Sequence, residues 1–132
     1  MEEFKISCRN MRDKGELVMS NCIFCKIVKK EIPSQIIFEN DAVLVFKDIN
    51  PAAPTHWLAI PKEHIDNVCD PHLIEGSLLQ SIFTGIQHVA KTEGLTENGF
   101  RVVANYGRDA GETAPHLHFH LLAGRKLSWP PG

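Results

Sequence analysis

The sequence predicts a single α+β domain: a five-stranded antiparallel sheet with one long and one short helix. Three observations predict it. Short β-rich runs recur with turn residues between them, and one long stretch carries apolar residues at three- and four-residue steps. The chain of 132 residues is long enough for one core but not for two.

Taken in order, Cys25 to Lys30 reads as a short helix that ends at Glu31-Ile32-Pro33-Ser34, because a proline disfavours helical geometry at the residue before it. Gln35 to Glu39 and Val43 to Asp48 are strands separated by the turn signal Asn40-Asp41. Pro51-Ala52-Ala53-Pro54 breaks the chain, and His56 to Pro61 makes a third strand. Ile74, Leu78, Ile82, Ile86 and Val89 then define one amphipathic helix from about Pro71 to Glu93, closed by Gly94. Phe100 to Asn105 and Pro115 to Leu122 are the fourth and fifth strands. The predicted arrangement is a meander with the helix over one face. The face or edge left uncovered makes a homodimer the expected assembly.

Residues 1–20 are polar, lack an apolar period, and are expected to be an N-terminal extension that packs little, ahead of a domain spanning 21–132. Lys14-Gly15-Glu16 can be encoded by purine-rich codons resembling a ribosome-binding site, so natural translation from Met19 is a second expectation for this segment. Intact mass from the native host tests it. A formal net charge of −2 supplies no basic field to draw the chain onto nucleic acid or an anionic membrane. No apolar run approaches the ~20 residues of a membrane span, and the N-terminus has no signal-peptide core. The cytoplasm is the expected compartment.

The most informative stretch is Pro115-His116-Leu117-His118-Phe119-His120-Leu121-Leu122. Side chains alternate along a strand, so the three histidines share one face, about 6.5–7 Å apart, and Leu117, Phe119 and Leu121 share the other. A solvated strand face is ordinarily built from Lys, Glu and Thr, and one metal rarely collects three ligands from alternate positions of one straight strand. Nucleophilic catalysis fits better: a neutral imidazole attacks phosphorus near pH 7 and leaves well from the phosphorylated intermediate. The preceding loop, Asn105 to Thr113, holds two glycines and a hydroxyl, and its backbone N–H groups suit an anion nest. Cys22-Ile23-Phe24-Cys25 has metal-ligand spacing, with a redox pair and two plain buried thiols as alternatives.

His116-Leu-His-Phe-His-Leu-Leu122 resembles the signature of the histidine triad nucleotide hydrolases and transferases. Cys22-Ile-Phe-Cys-Lys-Ile27, Phe46-Lys-Asp-Ile-Asn-Pro51, Pro54-Thr-His56, Ile60-Pro-Lys-Glu-His64 and Arg101-Val-Val-Ala-Asn105 are similar to that family's segments. The resemblance covers about Asn21 to Gly132. The terminal Trp129-Pro-Pro-Gly132 points to the Hint branch, the nucleoside phosphoramidases, over the Fhit-like dinucleoside polyphosphate hydrolases.

The resemblance implies that His118 is the nucleophile, that His120 contacts the phosphate, and that His56 completes the histidine network. Thr113 stands where the branch commonly has serine and donates to a phosphate oxygen. Asp48 binds the ribose hydroxyls, Phe46 and Ile49 wall the base, and Asn105, Gly111 and Glu112 border the phosphates. Trp129 reaches the partner's site in a dimer whose sheets run continuously. Lys47 and Glu112 depart from common residues of the branch and bear on leaving-group preference. The implied substrate is a purine nucleotide, an AMP or GMP derivative. Dinucleoside polyphosphate hydrolysis, nucleotidyl transfer, or a nucleotide- or zinc-binding interaction module with vestigial catalysis are the alternatives. In many bacterial members the equivalents of Cys22 and Cys25 bind zinc with two histidines, here His64 and His116, so a structural zinc is implied.

Overall fold

The alternation of side chains along the strands sorts the core onto two faces of one sheet. The computed structural model describes residues 21–132, and the expectations for residues 1–20, including the start at Met19, lie outside them. The strands are β1 Ile36–Glu39, β2 Val43–Lys47, β3 Thr55–Pro61, β4 Arg101–Val103 and β5 Phe119–Ala123. They form a five-stranded sheet in the order β1-β2-β3-β5-β4, and every neighbouring pair is antiparallel. The first hairpin is held by Asn40, whose Oδ1 accepts the N–H groups of Ala42 and Val43, both at 2.9 Å. The predicted meander is corrected at one point. The chain crosses over the sheet after β3 and returns as β4 at the far edge, so β5 fills the position between them.

Val43, Val45, Trp57, Ala59, Phe119 and Leu121 line one face and pack with Ile82, Ile86 and Val89 of the long helix. That helix, α2, spans Leu78–Thr92. The predicted start at Pro71 is corrected. Asp70 caps a single 3₁₀ turn at Pro71–Leu73, and Gly76, at φ 66°, interrupts the chain before α2. Ile74 consequently leaves the apolar stripe and is 74% exposed. Gly94 closes α2 in the left-handed region, and a one-turn helix, α3 (Leu95–Asn98), follows that the periodicity did not reveal.

The opposite face carries Leu44, Phe46, Leu58 and Ile60, which pack against Phe24 and Ile27 of a short helix, α1 (Ile23–Val28). This helix begins two residues before its predicted start of Cys25. Cys22 is its N-cap, and its Sγ accepts the Cys25 N–H at 3.3 Å. The sheet is therefore covered on both faces in its central strands, which explains why β2 and β3 read as continuous apolar runs.

Candidate active site and metal centre

The histidine stretch departs from its predicted geometry. The strand ladder begins only at Phe119, so His116 and His118 precede β5, and the His118 and His120 ring centroids are 5.0 Å apart. A single backbone bond, Leu117 N–H to Ile65 O at 2.6 Å, holds the approach to the strand. Side-chain alternation nevertheless persists: Leu117, Phe119 and Leu121 join the core beneath α2. His118 and His120 line a cleft of about 320 Å³ on the opposite face.

Hydrogen bonds fix the proton positions. His118 Nδ1 lies 2.7 Å from the His116 carbonyl oxygen, which can only accept. His118 is therefore protonated at Nδ1, and in its neutral form Nε2 carries a lone pair. His56 Nδ1 accepts the Ala52 N–H at 2.9 Å, which places the His56 proton on Nε2, 2.9 Å from His120 Nδ1. His120 accepts there and carries its own proton on Nε2. Asp48 Oδ2 stands 3.4 Å from His56 Nε2, while Asp48 Oδ1 accepts the Asn50 N–H at 2.8 Å. Burial lowers the His56 pKa against the opposing charge of Asp48. Burial, followed by the neighbouring His118 and His56, lowers that of His120 to about 4, again against Asp48. Both rings are neutral at pH 7.

The cleft has a polar end and an apolar end. Thr113, His118, His120 and Asp48 lie among its walls together with Phe46, Ile49, Ile23, Phe24 and Ile27. Six of the sequence-predicted residues thus meet in one cavity, with His56 supporting them from β3. Asn105, Gly111, Glu112 and Trp129 do not line it. Glu112 Oε1 instead accepts the Gly107 N–H at 3.0 Å, and Trp129 is 80% exposed. The anion-nest expectation is corrected in part. The N–H groups of Gly107, Gly111 and Glu112 are all bonded within their own loop, because two glycines with positive φ fold it back on itself.

The second constellation is buried. Ligand atoms of Cys22, Cys25, His64 and His116 lie within 4.8 Å of one another. Cys22 Sγ is 3.3 Å from His116 Nδ1, and Cys25 Sγ is 3.3 Å from His64 Nδ1 and 3.5 Å from His116 Nδ1. A tetrahedral ion with bonds of about 2.3 Å to sulfur and 2.0–2.1 Å to nitrogen places neighbouring ligand atoms about 3.5 Å apart. The outer nitrogens are also committed. His116 Nε2 donates to the Pro61 carbonyl at 3.0 Å and His64 Nε2 to Asp66 Oδ1 at 2.8 Å, so both Nδ1 lone pairs face the thiols. The donor set fits a metal ion.

Several contributors escaped the sequence. Asp66, Pro61 and Ala52 act through their hydrogen bonds to the histidines, and no pattern in the sequence marks any of the three. Phe24 sits inside the cysteine pair and touches His118, with ring centroids 4.9 Å apart. An aromatic residue between two ligands was the signal for it.

An α+β domain with a histidine-lined cleft and a Cys₂His₂ cluster defines the class of protein. A family model, the HIT domain, matches residues 29–127, and the chain belongs to that family. An uncharacterized HIT-like protein of Synechococcus elongatus is 46% identical over 110 residues, covering 83% of this chain and 96% of that protein. A 14 kDa zinc-binding protein of Zea mays is 45% identical over 115 residues, covering 86% and 89%. Among solved structures, a HIT family hydrolase from Legionella pneumophila superposes with a TM-score of 0.80 at 46% identity, covering 85% of this chain and all of that one. Among the described residues, no helix is long and apolar enough to cross a membrane.

Proposed function

We propose that this protein is a nucleotide phosphoramidase that cleaves the P–N bond of purine nucleoside 5′-phosphoramidates through a nucleotidyl intermediate on His118. One observation carries the reading: the 2.7 Å bond from His118 Nδ1–H to the His116 carbonyl leaves Nε2 as a lone pair in a cleft wall. The hydrolase named among the HIT relatives supports the reaction class.

In the first step His118 Nε2 attacks phosphorus, the P–N pair returns to the amine nitrogen, and that amine takes a proton from water. In the second step water attacks phosphorus, its proton passes to the hydroxide left by the first step, the electron pair returns to His118 Nε2, and the nucleoside monophosphate leaves. His120 Nε2–H and the Thr113 hydroxyl donate to phosphate oxygens, where negative charge grows. Asp48 accepts from the ribose hydroxyls, and Phe46 and Ile49 wall the purine. Asn105, Gly111 and Glu112 belong to the loop bordering the phosphate end.

We assign zinc to Cys22, Cys25, His64 and His116. Four protein ligands leave no position for water, so the ion supplies a structural cross-link between α1, the segment after β3 and the approach to β5. The Zea mays relative's name supports the choice of metal. We assign a homodimer in which the edge strand β4 extends the sheet into a partner copy and the exposed Trp129 reaches the partner's cleft. The compartment assigned is the cytoplasm.

The test compares hydrolysis of adenosine 5′-phosphoramidate with that of diadenosine tetraphosphate. The reading predicts a clear preference for the phosphoramidate. Preferred cleavage of the polyphosphate would replace it with the dinucleoside hydrolase reading.

A further inference from the structure

We propose that Phe24 is a positioning residue through which the metal site and the nucleotide cleft are thermodynamically coupled, so that each ligand tightens the other. The inference rests on the nucleotide reading of the cleft and goes beyond a purely structural metal.

Phe24 lies between the two cysteines of the tetrad on α1, and its buried ring meets residues of both sites edge-on. The ring centroids are 4.9 Å from His118, 5.8 Å from His116 and 5.9 Å from Phe46. His118 is the nucleophile, His116 is a ligand of the tetrad and Phe46 walls the cleft. A displacement of α1 by even part of a side-chain width therefore changes the packing around the nucleophile.

The helix itself has little to fix it. Six residues are too few for an autonomous helix, so its anchors set its position. At one end these anchors are the two thiols, Cys22 as N-cap and Cys25 one turn later. Along its side they are Phe24 and Ile27, packed on the sheet. Ile23, Phe24 and Ile27 also line the cleft. A metal on the thiols and a nucleotide in the cleft thus order the same six residues. The second to arrive meets a helix already in place, which is positive coupling.

A second route runs through the backbone. His116 offers Nδ1 to the cysteines, and its carbonyl oxygen accepts the proton of His118 Nδ1. Whatever holds the His116 ring also holds the acceptor that sets the tautomer of the nucleophile.

The test uses zinc and AMP with the zinc-loaded protein. Zinc affinity is measured by competition with a chromogenic chelator, with and without saturating AMP. AMP affinity is measured on zinc-loaded and zinc-depleted protein. AMP is expected to tighten zinc by about five-fold or more, and zinc to tighten AMP by the same factor, because coupling is reciprocal. In Phe24→Leu the factor collapses toward one, whatever the variant does to either affinity measured alone. Phe24→Met, closer to phenylalanine in reach, serves if the leucine variant fails to fold. A merely structural Phe24 would weaken both ligands and leave the factor intact. If zinc and AMP both bind the wild type with a factor of one, the coupling is overturned, and if the variant keeps the wild-type factor, the role of Phe24 in it is overturned; in both cases the functional reading stands. If AMP does not bind, both fall together.

Discussion

His116 serves two sites at once: its ring Nδ1 stands 3.3 Å from Cys22 Sγ, and its carbonyl oxygen accepts the His118 Nδ1 proton at 2.7 Å. The His118 ring is thus oriented by the backbone of a tetrad residue, so a change at His116 touches both sites. Substitution of His118 itself is cleaner, because its ring belongs to the cleft alone. His118→Ala is expected to lower kcat by about a thousand-fold or more while AMP affinity changes little. Steady-state kinetics with calorimetric binding reads both, and near wild-type turnover would remove His118 from the nucleophile's role.

The neutral histidine network has a pH signature. His120 titrates near about 4 in the fold, against an ordinary value near 6.5 for an unfolded chain. Between those values the unfolded chain binds a proton that the fold refuses, so stability rises with pH there. The contribution is complete above about 6.5, declines as pH falls, and is gone below the folded value. NMR titration of the ring reads the pKa directly, and the acid-side decline in Tm should be shallower in His120→Asn. A ring titrating near 6.5 would contradict the burial argument.

Retention of the proposed zinc is expected to depend on a carboxylate outside the tetrad. Asp66 Oδ1 accepts the His64 Nε2 proton at 2.8 Å and thereby turns the Nδ1 lone pair toward Cys25. Asp66→Asn should weaken zinc binding by about 10- to 100-fold. Chelator competition measures it, and unchanged affinity would show that packing alone orients His64.

Gly124 closes β5 in a conformation few other residues adopt. Its φ is 97°, and an added Cβ would stand 2.7 Å from Pro54 Cβ. Gly124→Ala should cost about 1–3 kcal/mol, read as a lower denaturation midpoint at unchanged m-value. Pro54 lies just before β3, whose Thr55 pairs with Ala123, so the effect is on the fold and not on the cleft.

Much of this architecture was legible in the chain. Short β-rich runs bounded by turn residues placed all five strands, and alternation through the histidine stretch reported burial directly: Leu117, Phe119 and Leu121 entered the core as read. The helix boundary was misplaced because Ile74 fits the apolar period, yet Gly76 and the Asp70 cap decide the backbone there. The site residues that alternation or ligand spacing marks, His116, His118, His120, Cys22 and Cys25, were visible as residue types in a pattern. The supporting groups were not. The Pro61 carbonyl and the Ala52 N–H are backbone atoms that leave no mark in residue identity, and Asp66 looks like any surface acid until His64 is seen beside it. Trp129, exposed at 80%, does not line the cleft of its own chain.

The central claim is a covalent bond between His118 Nε2 and phosphorus. Acid-free rapid quenching of the enzyme with adenosine 5′-phosphoramidate, followed by peptide mass spectrometry, tests it most directly. The account predicts an adenylyl adduct on the peptide containing His118, confined to that ring and absent in His118→Ala. Product formation with no adduct on His118, or with the adduct on His120 instead, would contradict it.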